Sequence, residues 1–178
     1  EGGVDQNQSP QTAQHLGALA PDEKSGDDNL RLGFQVHGQI SQPGDVDVYS
    51  FDVDGCTEVW LDIDATDHGL DTVIELIDAN GVLIARSDNS IEEAADPSLL
   101  VVGDDMMKPV NPLEKSAYEV PDHWTTNPRD AGMRVVLPGE KGTVSTYQVR
   151  VRSSSSDLDI VEGGITSGRY QLQVRLGE

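Results

Sequence analysis

Polar and apolar positions alternate along most of this chain, and the alternation locates its strands. Leu32, Phe34 and Val36 take turns with Gly33, Gln35 and His37, the period of an extended chain with one face buried. A Pro43-Gly44 turn follows. From there Asp47, Tyr49, Phe51 and Val53 fall two apart, so an extended backbone points all four to one face. Asp54-Gly55 marks the next turn. Val59, Leu61 and Ile63 alternate with Trp60, Asp62 and Asp64, which predicts a half-buried strand with a polar outer face. Two apolar runs, from Thr72 to Ile77 and from Val82 to Ala85, are joined by DANG, whose Asn80-Gly81 is a strong hairpin signal. Strands resume from Met133 to Leu137, from Ser145 to Val151 and from Tyr170 to Leu176.

Two segments depart from this rhythm. Residues 1–30 are polar, and Gly17 and Pro21 interrupt any helical period, so they read as an ordered arm pinned by Leu16 and Leu19. Residues 91–130 hold five prolines with Met106, Met107, Tyr118 and Trp124 and no clear period, which is long for a connection inside one domain. The expected architecture is therefore an arm over 1–30 and one all-β domain over 31–178. That domain is a jelly-roll-like antiparallel β-sandwich of about eight strands, with 91–130 as a long irregular excursion.

Composition narrows the function. Aromatics are only 4% of the residues, so the core rests on Val, Ile and Leu, which lean towards strands. Thirty-two acidic against twelve basic residues give a formal charge of −20, which excludes the basic face that nucleic acid requires. The acidity fits solubility, salt tolerance or bound divalent cations. No apolar run has the length of a membrane span, and the start at Glu1 suggests a processed or excised chain. The single cysteine, Cys56, allows no internal disulfide and reads as a turn-lining thiol.

Catalytic signatures are missing: no nucleophile elbow, zincin, phosphate-loop or dinucleotide glycine pattern occurs, and His15, His37, His68 and His123 are scattered. His68 lies in an acidic loop where it could assist a metal. Asp62 and Asp64 share a strand face and could imitate a glycosidase couple, provided a second carboxylate faces them across a cleft. The chain is expected not to be an enzyme. Asp47 stands at the head of an aromatic and apolar row, where it needs a partner. A hard cation at the sheet edge would serve, and so would a solvated strand end.

Taken in order, DQNQSPQTAQHLG, VHGQISQPGDVDVYSFDV, LDTVIELIDANGVLIARSDNS, RVVLPGEKGTVSTYQVRVRS and SGRYQLQVRL resemble the bacterial pre-peptidase C-terminal domain family. These are small β-sandwich modules appended to secreted peptidases and collagenases, some of which bind collagen. The resemblance covers everything except 91–130. It implies a calcium ion shared between arm and strand, with oxygens from Asp5, Asn7 and Asp47, the main-chain carbonyl of Gln39, and Tyr170 orienting the site. Asp45 is a further candidate. Gly3 and Gln8 stand where the family often has acidic residues, which would lower affinity.

A second acidic group, Asp67, Asp71, Asp88 and Asn89, brackets the central hairpin. Antiparallel pairing would bring Asp71 near Asp88, where the carboxylates either cap turns or share a cation. The resemblance implies a calcium-binding, non-catalytic accessory module of a larger secreted bacterial protein. Its partners would be an extracellular protein matrix, a glycan or adjacent domains, with no nucleic acid and no membrane insertion. The alternatives are a structural tandem domain of a cell-surface protein and a glycosidase-like hydrolase.

Overall fold

The alternating segments become strands in a computed structural model, which describes residues 6–20, 33–67, 69–90, 101–102, 127 and 129–177. Among these residues the strands are β1 (Gln14–Ala18), β2 (Gly33–Ile40), β3 (Val46–Asp54), β4 (Glu58–Asp64), β5 (Thr72–Ile77), β6 (Leu83–Ser87), β7 (Val101–Val102), β8 (Gly132–Val136), β9 (Val144–Ser153) and β10 (Gly168–Leu176). They form a six-stranded sheet in the order β1-β3-β9-β5-β6-β7 and a four-stranded sheet in the order β2-β10-β4-β8. The architecture is an all-β sandwich. Every pairing is antiparallel except that of β1, which runs parallel to β3.

The core lies between the sheets and is filled as the period predicts. Tyr49, Phe51, Val53, Ile74, Leu76, Val149 and Val151 from one sheet meet Ile40, Leu61, Ile63, Met133, Leu172 and Val174 from the other. Each such aliphatic or aromatic side chain contributes about 1.5–3 kcal/mol by leaving water. Turn chemistry sets the register at both predicted turns. Asp45 N–H donates to Gln42 O at 3.0 Å around Pro43 and a left-handed Gly44 (φ 88°), the pattern of a type II turn. In DANG only Gly81 is left-handed (φ 83°), and Asp78 Oδ1 accepts from the N–H groups of Asn80 and Val82, each at 2.8 Å.

Three elements differ from the sequence expectation. The arm carries regular structure: β1 docks on β3 with a register shift between His15 and Gly17. Asp62 and Asp64, expected on a polar outer face, are buried. Within the excursion, Val101–Val102 pairs with β6, while Met106, Met107, Tyr118 and Trp124 lie outside the described residues.

β5 is buried along its whole length, and its continuous apolar run reflects this, because a strand covered on both faces has no need to alternate. A small second core of Val46, Val48 and Ile77, with Ala13, Leu83 and Val161 against it, sits on the outer face of the six-stranded sheet. The segment after β9 thus acts as a strap across that face. Beneath it Glu75 is 1% exposed and Arg152 0%. Glu75 accepts from Arg150 Nε at 2.6 Å and from Arg152 Nη2 at 2.9 Å, and Arg86 Nη1 lies 3.7 Å away. Arg152 Nη2 and Arg86 Nη1 also donate to Leu158 O of the strap. Burial alone would push the Glu75 carboxyl up, but the hydrogen bonds and charges of Arg152 and Arg150 outweigh it and hold the group below its ordinary value.

A carboxyl lowered by folding stabilises the native state above its unfolded pKa, and that contribution is lost as pH falls through the folded value. Glu75→Gln leaves a buried arginine without its counter-charge, so a loss of about 3–5 kcal/mol is expected at neutral pH, shrinking in acid. Urea denaturation across pH measures it. A loss under about 1 kcal/mol at neutral pH would place Glu75 among surface ion pairs.

Candidate functional site

One polar chain runs through the interior from sheet to sheet. Tyr170 on β10 faces Gly38 on β2, and a Cβ at position 38 would overlap the Tyr170 ring. Glycine is therefore required there, since it leaves space for the ring to lie flat on the neighbouring backbone. The ring delivers its hydroxyl to the opposite sheet, where it donates to Asp47 Oδ2 at 2.6 Å and meets the Tyr49 hydroxyl at 2.8 Å. All three side chains are buried. Burial, then the neighbouring Tyr49 and Asp47, push the Tyr170 phenol well above its usual range, so it stays a neutral donor at any physiological pH.

The arm arrives next to this triad. Val48 N–H donates to Asn7 O at 2.7 Å, and Asn7 Nδ2 donates back to Val48 O at 3.4 Å. Asn7 is buried, and its main chain and amide are fixed on the residue following Asp47. The Asn7 Oδ1 takes no hydrogen bond among the described residues. Asp45 caps the turn that precedes β3. Its Oδ2 accepts from Ser41 N–H and Oγ, both at 2.7 Å, and its Oδ1 accepts from Val46 N–H at 2.9 Å. Gln39 is exposed on β2, opposite Arg169 of β10, and Asp5 lies outside the described residues.

The second acidic group divides. Asp67 accepts from Arg169 N–H at 2.9 Å. Asp71 and Asp88 come together at the open end of the hairpin, where burial and then the Asp88 charge raise the Asp71 carboxyl, with Arg129 opposing. Asn89 Nδ2 donates to Asp88 Oδ2 at 3.1 Å. Nearby, Asp130 Oδ1 accepts from Thr66 Oγ1 at 2.7 Å and Asn127 Nδ2 at 3.1 Å, while its main-chain oxygen accepts from Ser90. Sequence reasoning misses Thr66, Asn127 and Asp130, because 127 and 130 fall at the end of a stretch without period. Asn127 followed by a polar turn is the only signal available.

Two further arrangements invite a chemical reading. His15 Nδ1 lies 3.1 Å from Ser50 Oγ, and its Nε2 lies 3.6 Å from Asp52 Oδ2. Ser, His and Asp are the parts of a nucleophilic triad, but the set sits on the face of paired strands. From Tyr49 to Asp52 the main chain of β3 is paired with β1 on one side and β9 on the other. The set ties the arm to β3. Asp64 Oδ2 accepts from Gln173 Nε2 at 2.6 Å, and Asp62 Oδ1 abuts Gly132.

Among the described residues no three His, Cys, Asp or Glu side chains converge as a metal cage, and no helix is long and apolar enough to cross a membrane. His68 lies outside the described residues. Cys56 is exposed in its turn, with Sγ directed at Gly139 O at 3.0 Å. Compared with known proteins, the chain matches no protein-family model and no curated protein.

Two outcomes follow from these contacts. Gly38→Ala displaces the Tyr170 ring, and a destabilisation of about 1–3 kcal/mol is expected from overpacking. An unchanged denaturation midpoint would show that the ring can move freely. Asp71 has a raised folded-state pKa, so its contribution is fullest below the unfolded carboxyl pKa and declines as pH rises through the folded value. Asp71→Asn in chelator should therefore stabilise the protein at neutral pH by up to about 1 kcal/mol, the scale of like-charge neighbours, with no gain in acid. Thermal melts at both pH values check the sign.

Proposed function

We propose that this chain is a non-catalytic binding module of a larger secreted or cell-surface bacterial protein. In this reading calcium fixes the N-terminal arm to the sandwich. The module then contacts an extracellular protein matrix, a glycan or a neighbouring domain. The observation that carries it is the docking of Asn7 on Val48, which sets a neutral amide oxygen one residue from the buried carboxylate of Asp47. That donor set suits a hard cation, which takes six to eight oxygens from carboxylates, amides, main-chain carbonyls and water. Asp47 would supply charge, Asn7 and the Gln39 carbonyl neutral oxygens, and Asp5 a second carboxylate. Tyr170 holds the Asp47 carboxylate in one orientation. Asp45, whose oxygens accept from Ser41 and Val46, remains a further candidate, since each carboxylate oxygen keeps capacity beyond one hydrogen bond. The resemblance of the ordered segments to pre-peptidase C-terminal modules supports the same reading.

Calcium bound only by the folded state adds about 2.7 kcal/mol at a hundred times the dissociation constant, a rise of roughly 5–10 °C in Tm for a chain of this size. The expected result on adding calcium to chelator-treated protein is that rise, with loss of proteolysis in the arm. Both should shrink in Asp47→Asn. An unmoved Tm at millimolar calcium, with the arm equally protected throughout, would sink the calcium site.

A further inference from the structure

Among the described residues the sandwich has four sheet edges, and three of them are blunted. β1 is short, bulged between His15 and Gly17, and carries Gly17 at φ 122°. β7 has two residues. β8 has five and carries Arg134, which is paired with Glu58. The fourth edge, β2, has none of these devices. It runs eight residues, GFQVHGQI, with no proline, lysine, arginine or carboxylate. It pairs with β10 in unbroken register from Ile40 to Gly33, and among the described residues no strand lies on its other side. Long, regular, uncharged edges are templates for another strand, which is why proteins that must stay single blunt them.

We propose that β2 docks a second copy of this chain, strand against strand and antiparallel. Two considerations select that occupant. A chain of charge −20 repels its own copies, and β2 is a stretch of eight residues without a formal charge, so like-charged copies meet there at least cost. The strand is also self-complementary about His37. Antiparallel pairing centred on that residue sets Gln35 opposite Gln39 of the second copy on the outer face. On the inner face it sets Phe34 opposite Ile40 and Val36 opposite Gly38, large against small. Phe34 is only partly buried in the single chain, and the added strand would cover it. The two four-stranded sheets would join into one of eight, a two-fold contact of the isologous kind.

His37 is exposed, and its side chain meets Gln35 at 3.2 Å on the same outer face, so substitution there leaves the core untouched. In a symmetric pair His37→Glu places two carboxylates directly opposite each other, whereas His37→Gln does not. Sedimentation analysis of the full chain over a concentration series is the test, with far-UV spectra confirming the fold of each variant. The expected result is a concentration-dependent dimer that persists in His37→Gln and weakens by up to about fivefold in His37→Glu. A chain that remains monomeric at every concentration overturns the proposal. So does a dimer that His37→Glu leaves unchanged, because its contact would then lie elsewhere.

Discussion

A phenol hydroxyl buried between two sheets must find partners on the far side or cost the protein several kcal/mol. Tyr170 meets that constraint by reaching from β10 to Asp47 and Tyr49 on β3, and the surrounding corner is shaped around the reach. Gly38 is glycine because the ring covers it. Asp47 tolerates burial because a short hydrogen bond holds its carboxylate. Asn7 can dock beside it because Val48, on the outer face, presents main-chain groups that no other strand claims among the described residues. The Tyr170 hydroxyl thus links the two sheets and holds Asp47, while the arm docks one residue further along on the Val48 main chain.

Most of the fold was legible in the sequence because period two is a direct record of one-sided burial. β3, β4, β9 and β10 appear close to where alternation places them, and the turns at Pro43-Gly44 and Asn80-Gly81 form at glycines that go left-handed. β1 was hidden because five residues containing a glycine do not establish a period, and a strand at a sheet edge needs few apolar residues to stay. The buried state of Asp62 and Asp64 was equally hidden, since alternation reports which face a side chain takes and not what lies over it. For the candidate site, Asp47 was visible as a polar end to an apolar row, whereas Tyr170 entered only through the family resemblance. The turn-capping role of Asp45 depends on Ser41 and Val46 donors that spacing alone does not order in preference to a cation.

The strap across the six-stranded sheet explains why this acidic chain places three arginines together. Arg86, Arg150 and Arg152 surround one glutamate, and two of them also anchor the strap through Leu158 O. A lysine would not serve as well, because only a planar guanidinium can hold a carboxylate and a carbonyl at fixed angles at once. Charge is thus used inside to fasten a loop, while outside it keeps molecules apart.

The position of β10 has a consequence for how the protein is made. β10, which follows the other described strands in sequence, is an inner strand of its sheet, flanked by β2 and β4. During synthesis β2 emerges before the other strands of its sheet and meets its partner β10 only after more than a hundred further residues. β4 and β8 can pair earlier, but closure of the four-stranded sheet waits on contacts between β2 and β10 more than a hundred residues apart in sequence. A nascent chain stopped before Gly168 holds the unblunted edge of β2 open on both sides, which makes translation itself the interval of greatest exposure to wrong pairing.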